Sequence, residues 1–171
     1  EHVRVFETRD GWSWVSLVAD GYVGYVPSAA LRPGHLETTH RVCVPLTFVY
    51  PKANIKSQPV VPLPMNARID KEDDEGEFAR LVGGGYIIAH HLAWVEEFEA
   101  DFVAVAEQFL GAPYLWGGKS VGGVDCSGLV QLALAAEGIA CPRDTDMQQS
   151  IGKAADPARV QRGDLVFWKG H

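Results

Sequence analysis

The chain has few cysteines, and they are spaced for neither disulfides nor metal. Cys43, Cys126 and Cys141 make an odd count with no C-x-x-C pair, which fits neither a disulfide framework nor a structural zinc site. Basic charge is also short: 15 Lys and Arg stand against 22 Asp and Glu, a net charge of −7. That balance argues against nucleic acid as a partner, because phosphate binding needs a basic field. No apolar run approaches the roughly 20 residues of a membrane-spanning helix. There is no initiator Met, and the opening residues Glu1 to Val5 read as a strand rather than a signal peptide. A segment upstream is therefore expected to be missing.

What is present is 171 residues, 47% hydrophobic and 22% charged, enough for one large domain or two to three small ones. Residues 1 to about 33 read as β. Val3 to Phe6, Trp12 to Val18 and Tyr22 to Val26 are short aromatic or β-branched runs, separated by Asp10-Gly11 and Asp20-Gly21, both hairpin-turn signals. Pro33-Gly34 opens a polar connector, and a second β unit runs from about Arg41 to Trp94, its strands kept short by Pro45, Pro51, Pro59, Pro62 and Pro64. Phe78 to Val82, Gly83 to Gly85 and Tyr86 to Ile88 read as a hairpin, and the acidic run Asp70 to Glu77 as a solvated loop or hairpin tip. His90 to Ala93 parallels Ser28 to Leu31, which suggests an internal repeat of about 60 residues. Its histidines, with His2, His35 and His40, are expected at surfaces or edges.

The pattern changes after Glu99. Asp101 is placed to cap a helix from Phe102 to Leu110, with Phe102, Val105, Ala106 and Phe109 on one face and Gly111 ending it. After a loop at 112–124, a helix is expected from Cys126 to Glu137, closed by Gly138. Met147 to Ile151 is read as a further short helix and Asp164 to Trp168 as a buried strand. Cys126 lies between Asp125 and Ser127 where a glycine-rich loop becomes an apolar helix. The positive end of a helix dipole favours a thiolate there, and a histidine beside it would complete a nucleophile and base. The chain supplies one histidine downstream, His171. Cys43, in the apolar run Val42 to Leu46, is read as a buried strand residue, and Cys141, before Pro142, as structural.

Four motifs occur in compact order: Pro113 to Gly118 (PYLWGG), Asp125 to Leu129 (DCSGL), Pro142 to Thr145 (PRDT) and Gly163 to Phe167 (GDLVF). Together they resemble the NlpC-type family of bacterial cell-wall cysteine peptidases, which have a papain-like α+β fold. The β part, with Asp20 to Pro27, resembles bacterial SH3-type domains. The resemblance implies small SH3-like β-barrel units followed by a papain-like peptidase domain cut short at its C-terminus. Residues 1–33 would be an incomplete first SH3-type domain, 41–99 a second, and 100–171 the N-terminal part of the peptidase domain. The combination is similar to the subgroup of γ-D-glutamyl-diamino acid endopeptidases.

That resemblance implies Cys126 as the nucleophile and His171 as the general base; the residue that orients the base is expected beyond His171. Asp125, Ser127 and Tyr114 would line the substrate pocket, with Trp116 as apolar wall or core. Asp144 and Thr145 would contact a free N-terminal L-Ala; Thr145 stands where the subgroup often has Ser or Ala. Tyr22 would close the far end of the cleft. The substrates implied are peptidoglycan-derived peptides, L-Ala-γ-D-Glu-diamino acid, with no metal or organic cofactor. The alternatives are an amidase or another stem-peptide specificity, or a non-catalytic wall-binding protein.

Overall fold

The structure is a computed structural model and describes residues 1–34 and 37–169. The chain divides into two compact units, Glu1–Glu37 and Thr38 onward. The first is an antiparallel meander of β1 (Val3–Arg9), β2 (Trp12–Leu17) and β3 (Val23–Pro27). Asp10 and Gly11 both adopt positive φ, 51° and 81°, the backbone that a two-residue hairpin turn requires. A 3₁₀ turn, Ser28–Ala30, follows β3, and the Ser28 hydroxyl reaches the buried Ser13 hydroxyl at 2.8 Å.

The second unit begins with β4 (His40–Val42), β5 (Leu46–Val49), β6 (Val61–Pro64) and β7 (Arg68–Ile69). A second meander follows: β8 (Lys71–Glu75), β9 (Phe78–Leu81) and β10 (Tyr86–Ile88). It also runs into a 3₁₀ turn, Ala89–His91, and then β11 (Leu92–Trp94). The two 3₁₀ turns are entered through near-identical backbone, Pro27 at φ −57°, ψ 126° and Ile88 at φ −59°, ψ 120°. β4 pairs with both β11 and β7, and β5 with β6.

The helical part of this unit comprises α1 (Phe102–Glu107), the small hairpin β12 (Lys119–Ser120) and β13 (Gly123–Val124), α2 (Cys126–Ala136) and α3 (Thr145–Gln148). The Asp101 carboxylate accepts from the Val103 and Ala104 N–H groups and caps α1. After Glu107 the expected helix tightens into i→i−3 bonds from Gln108, Phe109 and Leu110, a common helix ending. α2 ends with the Gly138 N–H on the Ala135 carbonyl and the Ile139 N–H on the Leu134 carbonyl. With Gly138 at φ 81°, this is a Schellman stop. The core joins Val105 and Phe109 to Leu132, Ala133 and Ala136, and includes Met65 from the β part. Residues 38–99 and the helices therefore share one interior. The overall composition of the fold is α+β, strand-rich with few helices.

Several local expectations change. Asp164 to Trp168 is neither a strand nor buried: exposed and half-buried residues alternate, but no ladder partner occurs among the described residues. The short helix falls on Thr145–Gln148, two residues earlier than expected at its start. The acidic run contains β8, paired to β9, because Lys71 and Arg80 offset part of its charge through Asp74 at 2.7 Å and Glu72 at 3.4 Å. Cys43 is half-buried and follows β4 instead of lying in a strand. His40 is buried rather than peripheral, with its ring centroid 4.3 Å from that of Trp94.

Candidate functional site

Cys126 is exposed and is the first residue of α2. Its N–H, like the others of a helix's first turn, has no intrahelical acceptor. The sulfur's recorded neighbour is the Thr145 hydroxyl, 3.6 Å away. The residues on either side of Cys126 point inward: Asp125 is 7% exposed and Ser127 5%.

Asp125 caps the helix and does much more. Its Oδ1 accepts from the Gly128 N–H at 2.6 Å, from Arg143 Nη1 at 3.0 Å and from the Ser127 hydroxyl at 3.3 Å. Oδ2 accepts from Arg143 Nη2 at 2.7 Å and from the Gly117 N–H at 2.7 Å. Burial by itself raises this carboxyl's pKa, but the Arg143 guanidinium and the Gly128 and Gly117 N–H groups outweigh it and hold the pKa below the ordinary value. Arg143 Nη1 also donates to the Ser127 hydroxyl at 2.8 Å. The pair is a two-pronged, nearly dry ion pair, the strongest geometry for these groups.

The loop Pro113 to Gly118 is pressed onto this helix start. The Val124 N–H donates to the Pro113 carbonyl and the Leu115 N–H to the Val124 carbonyl, which sets Tyr114 in a parallel bridge beside Val124. Gly118 then passes so close that a Cβ on Gly128 would collide with its carbonyl oxygen, and a Cβ on Gly118 with that of Gly123. Glycine at 118 and 128 is thus required by close approach, not by turn geometry. Tyr114 and Trp116 remain 66% and 87% exposed.

The segment after α2 closes the other side. Cys141 is buried, and burial pushes its thiol pKa up, with Gln148 acting in the opposite direction. Gln148, 1% exposed, donates from Nε2 to the Ser127 carbonyl at 3.0 Å and to the Pro142 carbonyl at 2.8 Å. Asp144 precedes α3 without making a side-chain cap, and among the described residues nothing hydrogen-bonds its half-buried carboxylate.

The structure thus brings together Cys126, Asp125, Ser127 and Thr145. Asp144 adjoins Thr145, and Tyr114 and Trp116 lie on the loop fastened to Asp125. Tyr22 lies in the first unit, 41% exposed before β3. His171 lies outside the described residues, as does His35. Sequence reasoning missed Arg143 and Gln148 as organisers. Arg143 stands inside the quoted PRDT motif, but nothing in its neighbourhood announces a partner 18 residues back. No group of three or more His, Cys, Asp or Glu able to hold a metal ion occurs among the described residues.

Residues 111–171 match the NlpC/P60 family and residues 1–31 the bacterial dipeptidyl-peptidase Sh3 domain. The chain is 27% identical, over 96% of its own length, to gamma-D-glutamyl-L-lysine dipeptidyl-peptidase of Bacillus subtilis strain 168, and spans 61% of that protein. It is 41% identical to the Bacillus cereus protein of the same name over 40% of this chain and 20% of the relative. The chain therefore spans less than two thirds of these relatives' length. A solved NlpC/P60 family protein from Bacillus cereus ATCC 10987 superposes with a TM-score of 0.79 at 24% identity, covering 94% of this chain and 60% of that one. The segment that carries Cys126 and its buried clasp matches the NlpC/P60 family, and it follows an N-terminal segment that matches the bacterial dipeptidyl-peptidase Sh3 domain.

Proposed function

We propose that the protein is a cysteine endopeptidase that cuts peptidoglycan stem peptides between D-Glu and the diamino acid when L-Ala has a free amino group. The observation that carries this reading is an exposed Cys126 at the start of α2, flanked by two inward-facing residues. The names of the Bacillus relatives support the bond. Residues 1–33 and 41–99 would be SH3-type units and 100–171 part of a papain-like domain.

In this mechanism the His171 imidazole takes the Cys126 proton, and the sulfur attacks the γ-carbonyl carbon of D-Glu. The carbonyl oxygen becomes an oxyanion that the Cys126 N–H can stabilise at the helix start. Collapse breaks the C–N bond, and the proton passes from His171 to the leaving amine. Water then cleaves the thioester and restores the thiol. The Asp144 carboxylate, unengaged among the described residues, suits the L-Ala ammonium. Tyr114 and Trp116 offer exposed rings on the same loop. Asp125 and Ser127 have their polar atoms committed inward, so their part in the pocket is to shape it.

The test is mass spectrometry of products from L-Ala-γ-D-Glu-diaminopimelate with the full-length protein and its Cys126→Ala form. Release of L-Ala-D-Glu by the first alone is expected, with the variant slower by on the order of 10⁵-fold. Equal cleavage by both would overturn the reading, and unchanged cleavage of an N-acetylated substrate would remove the ammonium role of Asp144.

A further inference from the structure

We propose that the buried Arg143–Asp125 pair positions the nucleophile by holding the Thr145 hydroxyl against the Cys126 sulfur, so that Thr145 donates a hydrogen bond to the thiolate. This rests on the reading of Cys126 as the nucleophile, and it gives Thr145 a task apart from touching substrate.

Two buried tethers bracket the contact between Cys126 and Thr145. Cys126 has Asp125 on one side in the chain and Ser127 on the other. Thr145 has Arg143 two residues before it and Gln148 three residues after it. Arg143 grips Asp125 through both prongs at 3.0 and 2.7 Å, and Gln148 grips the Ser127 carbonyl at 3.0 Å. Each tether joins a near neighbour of the sulfur to a near neighbour of the hydroxyl. The 3.6 Å contact between Cys126 Sγ and Thr145 Oγ1 lies between them. All four tethering residues are under a tenth exposed, whereas the cysteine itself is exposed. A planar guanidinium bound by two prongs fixes orientation as well as distance, which a lysine cannot do.

The chemistry suits that geometry. A thiolate only accepts hydrogen bonds, and a threonine hydroxyl has one O–H to give. The β-branched side chain narrows the choice of χ1 for that O–H. Formal charges on the two segments that meet here are those of Asp125, Arg143, Asp144 and Asp146. Replacing Thr145 by Val alters none of them, so a change in the sulfur's behaviour would trace to the hydroxyl.

The experiment uses full-length protein with Thr145→Val, Thr145→Ser and Arg143→Lys. The first readout is thiolate absorbance against pH, taken as the difference from Cys126→Ala in the same background. The second is kcat and KM on the tripeptide. In Thr145→Val the thiolate should appear at higher pH, leaving about tenfold less of it on the rising limb. Its kcat should fall about threefold to tenfold with KM within twofold, because less thiolate is partly offset by a more nucleophilic sulfur. Thr145→Ser should restore both. Arg143→Lys, once shown to be folded by circular dichroism, should behave like Thr145→Val.

An unchanged thiolate profile in Thr145→Val would overturn the proposal, as would a defect confined to KM. Arg143→Lys that melts earlier but keeps the wild-type profile would reduce the ion pair to a structural role and equally defeat it. If Cys126→Ala still cleaves the tripeptide, the nucleophile assignment fails instead, and the absorbance data keep the two failures distinct.

Discussion

The two ends of α2 are held by opposite means. At its start, Asp125, Ser127 and Gly128 are bound by residues close in sequence, from Gly117 to Gln148, through charge and through glycine backbones in contact. At its end, the helix is anchored to the β part. The Ala136 carbonyl accepts from the Glu99 N–H at 2.9 Å and from Arg41 Nη2 at 3.4 Å, and Asn66 Nδ2 donates to the Leu132 carbonyl at 3.0 Å. Arg41, 4% exposed, also binds the Glu97 carbonyl through Nε and Nη2 at 3.0 and 2.7 Å. One end orients a reactive side chain. The other fixes where the whole helix stands.

If this division holds, damage at the start should reach catalysis directly and damage at the end should act through stability. Gly128→Ala has the largest expected effect. The new methyl meets the Gly118 carbonyl and approaches Asp125 Oδ1 at 2.8 Å, both parts of the clasp rather than flexible side-chain ends. A loss of about 3 kcal/mol is expected, and kcat should fall even at temperatures where the variant is folded. Full activity per folded molecule would break the comparison. Arg41→Met comes next, at about 2 kcal/mol from charged hydrogen bonds lost at the Glu97 and Ala136 carbonyls. Urea unfolding should show that loss while kcat stays within twofold. Gly138→Ala should cost less, about 1–2 kcal/mol, for a side chain at φ 81° facing the Phe98 ring 2.9 Å away. That ring can give way, and turnover should again be preserved.

The same contrast explains what could be read in advance. The cap at Asp125, the stop at Gly138, the cap at Asp101 and the Asp10-Gly11 turn are local, so a few adjacent residues suffice to announce them. The partner of Arg41 at Ala136 lies 95 residues away and that of Asn66 at Leu132 lies 66 away. No periodicity in either segment encodes that meeting, and for the same reason Met65 could not be assigned to the helical core. Arg143 falls between these cases: its motif was visible, but its target was not. Asp164 to Trp168 shows the converse. Alternation along a segment gives it two faces, yet a strand exists only where a second segment supplies the ladder.

Acid should separate the two ends, with the smallest effect of the set. His40 sits on β4 beside Arg41, and its pKa is lowered, chiefly by burial and then by the charge of Lys71, against opposing pulls from Asp74 and Asp70. A folded value below the unfolded one means the unfolded chain binds the proton more readily. Stability from neutral His40 is therefore present above the ordinary value of about 6.5 and is lost as pH falls below it. Asp125 has a depressed carboxyl, so its contribution persists above about 3.9 and is lost as pH falls through the lower folded value. Hydrogen exchange followed by mass spectrometry from pH 8 to pH 3, corrected for intrinsic rates, should thus show loss of protection first at β4 and β11 and only later at residues 117–128. The pKa of His91, just before β11, is also lowered, by burial and then by His90, and adds to that first phase. His40→Gln should therefore shrink the first phase and leave the second in place. Simultaneous loosening of both segments would mean that the two ends of α2 are one cooperative unit, and the division of labour drawn between them would have to be given up.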